Sequence, residues 1–224
     1  MIKKYILPLL ILLMSILYIF FIPSDPMEVK LLFKLIPMWL MIGYAFLQVS
    51  HSRTRTHYLI LAGLFFCMLG DGLLIWFVVG LSAFLIGHLF YMAGFFSQWR
   101  FSIIRFLSIV PIGVYSFIMG SKLVNALEAS GDDALILPVM AYITVISLML
   151  WSAVMTRNPW AIVGSTLFVI SDSILSWNMF ISDVPYSGIL IMTTYYSAQF
   201  LIARSLSGFQ GSVRHSSTRR FPVN

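Results

Sequence analysis

Apolar stretches long enough to cross a bilayer follow one another along nearly the whole of this 224-residue chain, with only short polar gaps between them. A hydrocarbon core about 30 Å thick takes roughly 20 apolar residues per helix, so a chain of this length has room for about eight spans and little else. Only 10% of the residues are charged and 60% are hydrophobic. Soluble domains carry about 25% charged residues, so a soluble domain beyond short loops and tails is excluded.

The sequence predicts spans at about Tyr5 to Ile22, Leu31 to Val49, Tyr58 to Val79, Leu81 to Trp99, Phe106 to Gly120, Ala134 to Met155, Trp160 to Ile181 and Tyr186 to Ala203. The first follows Lys3 and Lys4 but lacks a small-residue cleavage site, so it reads as a retained span and not a signal peptide. Gly80 is expected to form the turn between the third and fourth spans, and Ser121 to Asp133 a loop. The expected fold is all-α: a polytopic membrane protein of eight transmembrane helices forming one domain over 1–205. A polar, basic and disordered tail is expected over 206–224.

The net charge of +6 raises nucleic acid as a partner, but the charges sort by topology instead. With eight spans, Lys3, Lys4, Arg53, Arg55, Arg100, Arg105, Arg157, Arg204, Arg214, Arg219 and Arg220 share one side. Lys30 and Lys122 fall in loops of the other, with Lys34 just inside a span there. The positive-inside rule then makes both termini cytoplasmic. Asp25, Glu28, Glu128, Asp132, Asp133 and Asp183 all fall on the opposite side. Two acids remain, Asp71 and Asp172, and both are intramembrane. A bacterial inner membrane is the expected location, and lipid, not nucleic acid, the expected partner.

Asp71 and Asp172 lie 101 positions apart, and the same offset relates Pro37 to Pro138, Gly63 to Gly164, Leu74 to Leu175, Trp76 to Trp177 and Gln98 to Gln199. Spans one to four (about 1–100) thus match spans five to eight (about 101–205) in the same orientation. That predicts two parallel four-helix repeats related by an axis near the membrane normal. Chance likeness between apolar helices is the competing explanation.

A carboxyl group deep in a span costs at least about 2.5–3.5 kcal/mol on insertion scales, so it is retained for a reason. If both acids border one cavity, one is expected protonated and the other ionised, an arrangement suited to general acid/base work. The plainer reading is that each aspartate fixes helix packing. His88, expected near the depth of Asp71, shares a helix face with Tyr91 and Gln98; Tyr195 and Gln199 share a face of the last span. Asp71, Asp172 and His88 are therefore the catalytic candidates, and Tyr91, Tyr195, Gln199 and Lys34 the substrate-binding ones. His88 also reads as a packing histidine, the tyrosines as helix-interface residues, and Lys34 either as a snorkelling side chain or as an anchor for a lipid phosphate.

His51, His57 and His215 read as solvated loop or tail residues, and Trp76 and Trp177 as members of an interfacial aromatic belt. The single cysteine, Cys67, cannot form an intrachain disulfide or a cysteine-ligated zinc site. No HExxH motif, Walker A loop or G-x-S-x-G elbow is present, and no cofactor is expected. From these residues alone three functions stay open: an intramembrane lipid hydrolase, a proton-coupled transporter or carrier, and a scaffold without turnover.

The motifs Lys34-x-x-Pro37, Gly63-x₆-Gly70-Asp71-x-x-Leu74, Gly87-His88-x-x-Tyr91, Pro138-x-x-x-Tyr142, Gly164-x₃-Phe168-x-x-Ser171-Asp172-x-x-Leu175 and Tyr195-x₃-Gln199 occur in that order. In them the chain resembles the YhhN family of eight-span membrane proteins, from about Lys34 to Arg204. The resemblance implies lysoplasmalogenase activity: hydrolysis of the vinyl ether of a lysophospholipid to a fatty aldehyde and a glycerophospho-base. It also implies Asp71 and Asp172 as the acid/base pair, with His88 and Tyr91 orienting an acid or a water.

Overall fold

A computed structural model describes residues 5–23, 25–48 and 53–209. It is all-helical over these residues: α1 (Leu7–Phe20), α2 (Met27–Gln48), α3 (Arg55–Leu73), α4 (Phe77–Phe96), the short α5 (Ile103–Phe106), α6 (Ile109–Ser130), α7 (Ile136–Met155), α8 (Pro159–Phe180) and α9 (Ser187–Phe209). A 3₁₀ turn, Asp133–Leu135, leads into α7. Among the described residues, six stretches are long and apolar enough to cross a membrane: α2, α3, α4, α5 with α6, α7 and α8. At 14 residues α1 is apolar but short. Lying outside that set, α9 carries a run of polar side chains on a face turned inward, where Tyr195, Tyr196, Gln199 and Ser205 are all buried.

The tightest pairs are the hairpins α3–α4 and α8–α9, and glycines set their closeness. A Cβ on Gly63 would lie 2.4 Å from the Tyr91 ring, one on Gly70 2.6 Å from the Phe84 ring, and one on Gly87 2.7 Å from Cys67 Sγ. In the second hairpin a Cβ on Gly164 would meet the Ala198 carbonyl at 3.0 Å. Lipid tails are as apolar as leucine, so membrane helices associate through this close packing and not through a solvent-driven hydrophobic effect. The two hairpins are bridged symmetrically: α2 packs on α3 and on α9, and α7 packs on α8 and on α4.

Several sequence expectations shift. Gly80 is not the turn: the reversal is made by Leu74 to Trp76, and Gly80 lies inside α4. A Cβ there would come 2.6 Å from the Leu74 Cα, so closeness to the turn explains the glycine. Most of the expected Ser121–Asp133 loop is helix, because α6 runs on to Ser130 before Gly131 ends it in a left-handed conformation (φ 79°). The last helix continues to Phe209, with Leu206 and Phe209 buried, so the expected tail begins later; 210–224 lie outside the described residues. His57 is buried, not solvated, and its Nδ1 accepts the Thr54 N–H at 3.0 Å at the start of α3. Lys3, Lys4, His51 and His215 lie outside the described residues.

The repeat match also has a limit. Gln199 sits in mid-α9, whereas Gln98 follows the end of α4 and donates to Thr56 Oγ1 at 2.8 Å. The second hairpin has longer helices and a longer turn, so the offset that aligns α3 with α8 does not align α4 with α9.

Candidate active site

One cavity of about 240 Å³ is lined by both intramembrane aspartates. Its walls come from α1, α2, α3, α4, α7, α8 and α9, and most of its lining is aliphatic and aromatic, including Leu74, Leu81, Leu175 and Met192. Phe77 and Phe180 meet edge-on at 5.5 Å near its rim. Asp71 lies one residue beyond Gly70, which packs on Phe84, seven residues down α4 from Phe77; Asp172 lies eight residues down α8 from Phe180. At 1.5 Å per residue the two carboxyls sit about 9–12 Å below that ring pair.

The two acids have different partners. Lys34 Nζ is 3.0 Å from Asp71 Oδ1, and Tyr195 donates to Asp71 Oδ2 at 2.6 Å. The Asp71 side chain is 3% exposed and that of Lys34 15%. Lys34 therefore does not snorkel to the surface; it reaches into the bundle, and the Tyr196 hydroxyl bonds its backbone carbonyl at 2.8 Å. Asp172 accepts a hydrogen bond from the Tyr142 hydroxyl on α7 and, among the described residues, pairs with no lysine or arginine. Its neighbour Ser171 is spent on the Ile191 carbonyl at 3.0 Å, tying α8 to α9.

Of the seven residues singled out from sequence, Lys34, Asp71, Asp172 and Tyr195 meet in this cavity. His88, Tyr91 and Gln199 form a packed layer deeper in the bundle. Gly87 packs against Cys67 and Gly70 against Phe84, so His88 lies level with residue 66, about 7–8 Å deeper than Asp71, contrary to the expected equal depth. Its Nδ1–H donates to the Phe84 carbonyl at 2.7 Å, and its ring meets Phe168 and Tyr142 edge-on at 4.5 and 5.3 Å. His88 thus buttresses Tyr142, which holds Asp172. Tyr91 donates to Gln199 Oε1 at 2.6 Å, bridging the two hairpins. His88 Nε2 and Gln199 Nε2 are buried without a hydrogen-bond partner.

Sequence reading assigned no role to Tyr142 or Tyr18, which also line the cavity. The signal for Tyr142 was present in Pro138-x-x-x-Tyr142, one turn inside a helix, but nothing in the sequence joins that helix to Asp172. Among the described residues no group of three or more His, Cys, Asp or Glu side chains is placed to hold a metal ion.

The YhhN family model matches residues 29–206, which include every residue of this site except Tyr18. The chain belongs to the YhhN family. Its similarity to characterised sequences covers most of its length. It is 33% identical to human lysoplasmalogenase TMEM86B over 82% of this chain and 78% of the human one. Human lysoplasmalogenase TMEM86A is 31% identical over 88% and 87% of the two chains. A lysoplasmalogenase of Mycobacterium bovis is 29% identical over 69% of this chain and 62% of its own. No solved structure matches the chain. For a YhhN chain, the geometry offers an apolar chamber with two carboxyl groups, one matched by a fixed cation and the other by a neutral hydroxyl.

Proposed function

We propose that this protein is a lysoplasmalogenase: an intramembrane hydrolase that cleaves the vinyl ether of a 1-alkenyl glycerophosphoethanolamine or glycerophosphocholine. The observation that carries the reading is the asymmetry of the aspartate pair within one apolar cavity, Lys34 against Asp71 and Tyr142 against Asp172. The names of the relatives supply the substrate class.

Vinyl ether hydrolysis begins with protonation of the β-carbon, which leaves an oxocarbenium ion. In our assignment Asp172 is the acid, since with no cation beside it the proton costs least to keep there. Asp71, ionised against Lys34, faces the developing positive charge and stabilises it. It then takes a proton from the water that attacks the oxocarbenium carbon. As the hemiacetal collapses to the fatty aldehyde, Asp71 passes that proton to the departing glycerol oxygen and the hemiacetal hydroxyl proton goes to Asp172, which restores both carboxyls. One water is consumed, one C–O bond breaks, and no cofactor enters the balance. Tyr195 fixes the Asp71 carboxylate, Tyr142 orients Asp172, and His88 acts through Tyr142.

In the bilayer we assign eight spans, with α1 and α9 added to the six longest apolar stretches, arranged as two parallel repeats. Both termini are cytoplasmic, and the protein resides in a bacterial inner membrane. The repeat is supported by the α2–α9 and α7–α4 contacts that relate the halves. The sidedness is supported by a cluster of basic loops at one end of the bundle, where the Arg100 N–H meets the Met155 carbonyl and Arg157 Nη2 meets the Phe101 carbonyl.

Turnover of a lysoplasmalogen in deuterium oxide tests the chemistry. Protonation at the β-carbon delivers one solvent deuteron to the carbon next to the aldehyde. Aldehyde formed without that deuteron, or no aldehyde at all, defeats the proposal.

A further inference from the structure

Asp172 is approached from two sides. Besides the main cavity, a space of about 30 Å³ is lined by Tyr142, Asp172 and Ser176, all shared with that cavity. The same small space shares Tyr115, Met119 and Ser173 with a groove of about 380 Å³ between α6 and α8, on the outside of the bundle. From Tyr115 a second apolar groove of about 300 Å³ continues past Pro111, Leu150 and Ile170. The three spaces share wall residues and form one seam along α6 and α8, and its middle is lined by Asp172.

The seam is thinly closed. The 22-residue α6 buries only Met119, Gly120, Leu123 and Leu127. Across the seam the Tyr115 hydroxyl donates to Ser173 Oγ at 2.7 Å, and Ser173 in turn donates to the Val169 carbonyl. This is one neutral hydrogen bond between partly exposed groups, worth about 1 kcal/mol net. At the outer end Lys122 stands over the Trp177 ring at 5.4 Å and, among the described residues, makes no ion pair. The groove thus has one cation at its head and an apolar trough below it, the pattern of a single-chain phospholipid.

We propose that the α6–α8 seam is a lateral portal through which the lysophospholipid reaches Asp172 from the bilayer, with Lys122 as the site for its phosphate. The portal rests on the lysoplasmalogenase reading above and adds the route and the headgroup contact. The spacing fits. Trp177 is five residues beyond Asp172, about 7.5 Å along α8. That is comparable to the reach from a phosphate through one glycerol unit to its sn-1 ether. With phosphate on Lys122 the vinyl ether falls level with Asp172, where Tyr142 and Ser176 line both the seam and the main cavity that holds Asp71. Lysine binds phosphate as a point charge, so the contact fixes depth more than orientation.

The test compares kcat/KM for a lysoplasmalogen with that for the phosphate-free 1-alkenylglycerol in purified protein. Lys122→Gln is expected to lower the ratio of the two about tenfold, and Lys122→Arg to restore it. Ser173→Phe, which fills the seam, is expected to lower both values at least tenfold with an unchanged melting temperature. An unchanged ratio in Lys122→Gln overturns the phosphate site, and full activity in Ser173→Phe overturns the portal. Equal slowing of both substrates in Lys122→Gln, with a lower melting temperature, also overturns the phosphate site, since it marks a packing role for Lys122 against Trp177. If the unsubstituted protein releases no aldehyde, the hydrolase reading fails separately. The seam is then tested with a brominated alkyl-ether lysophospholipid, whose quenching of the emission lost in Trp177→Phe must weaken in Lys122→Gln; no such quenching overturns the portal.

Discussion

Lys34 Nζ, from near the start of the second apolar span, lies 3.0 Å from Asp71 Oδ1 in the third, and each charge is buried with the other. The same cavity holds Asp172 with a tyrosine hydroxyl in place of a cation. In the proposed mechanism that difference makes Asp172 the acid and Asp71 the base.

The ion pair predicts a stability signature. Breaking a buried pair by removing one partner costs about 3–5 kcal/mol, because the remaining charge is left without compensation. Lys34→Met and Asp71→Asn are each expected to destabilise the protein by that order. The double variant is expected to recover most of the loss. Thermal unfolding of the three variants in detergent, read as a double-mutant cycle, measures the coupling.

Tyr142 and His88 are predicted to act in series. Tyr142→Phe removes the hydrogen bond to Asp172, a contact of about 1.5–3 kcal/mol when its acceptor is charged, so kcat is expected to fall about tenfold or more with KM little changed. His88→Asn is expected to lower kcat less. Combined with Tyr142→Phe it is expected to add little, because the His88 ring meets the Tyr142 ring that holds Asp172. Multiplicative losses in steady-state kinetics of the pair would show an independent role for the histidine.

Gly63→Ala is predicted to damage the fold without touching the cavity. Its Cβ would fall 2.4 Å from the Tyr91 ring, which is fully buried and bonded to Gln199. Overpacking of this kind costs about 1–3 kcal/mol. A lowered melting temperature with residual activity per folded molecule is expected. Gly43→Ala, where nothing lies within 4 Å, is the matched control and is expected to change neither.

The proposed topology rests on the charge sorting. Reporter fusions at the amino and carboxyl ends are expected to be active only in their cytoplasmic form, and a fusion in the Val184–Tyr186 turn only in its exported form. The reverse pattern, or termini on opposite sides, would remove the eight-span arrangement.

The helices and the acid pair were legible in the sequence for physical reasons. A run of apolar residues as long as the bilayer is thick has few alternatives, and a carboxyl group inside such a run is costly enough to stand out. What lay between helices was not legible. Nothing local says that Tyr142 on α7 faces Asp172 on α8, or that Lys34 on α2 turns inward to Asp71 and not out to the headgroups. A turn at Gly80 would put His88 level with Asp71; the reversal at Leu74–Trp76 changes the register of α4 against α3 and sets His88 deeper. His57 read as a loop residue because it neighbours Arg53 and Arg55, yet it caps the start of α3 and is buried.

The most direct test of the central claim is fatty aldehyde release from a 1-alkenyl lysophospholipid by the purified protein and its Asp71→Asn and Asp172→Asn variants. Steady turnover by the unsubstituted protein and a loss of at least a thousandfold in each variant, with Asp172→Asn still folded, is the result expected. Turnover that survives in both variants would contradict the paired-acid account, and its absence from the unsubstituted protein would contradict the function itself.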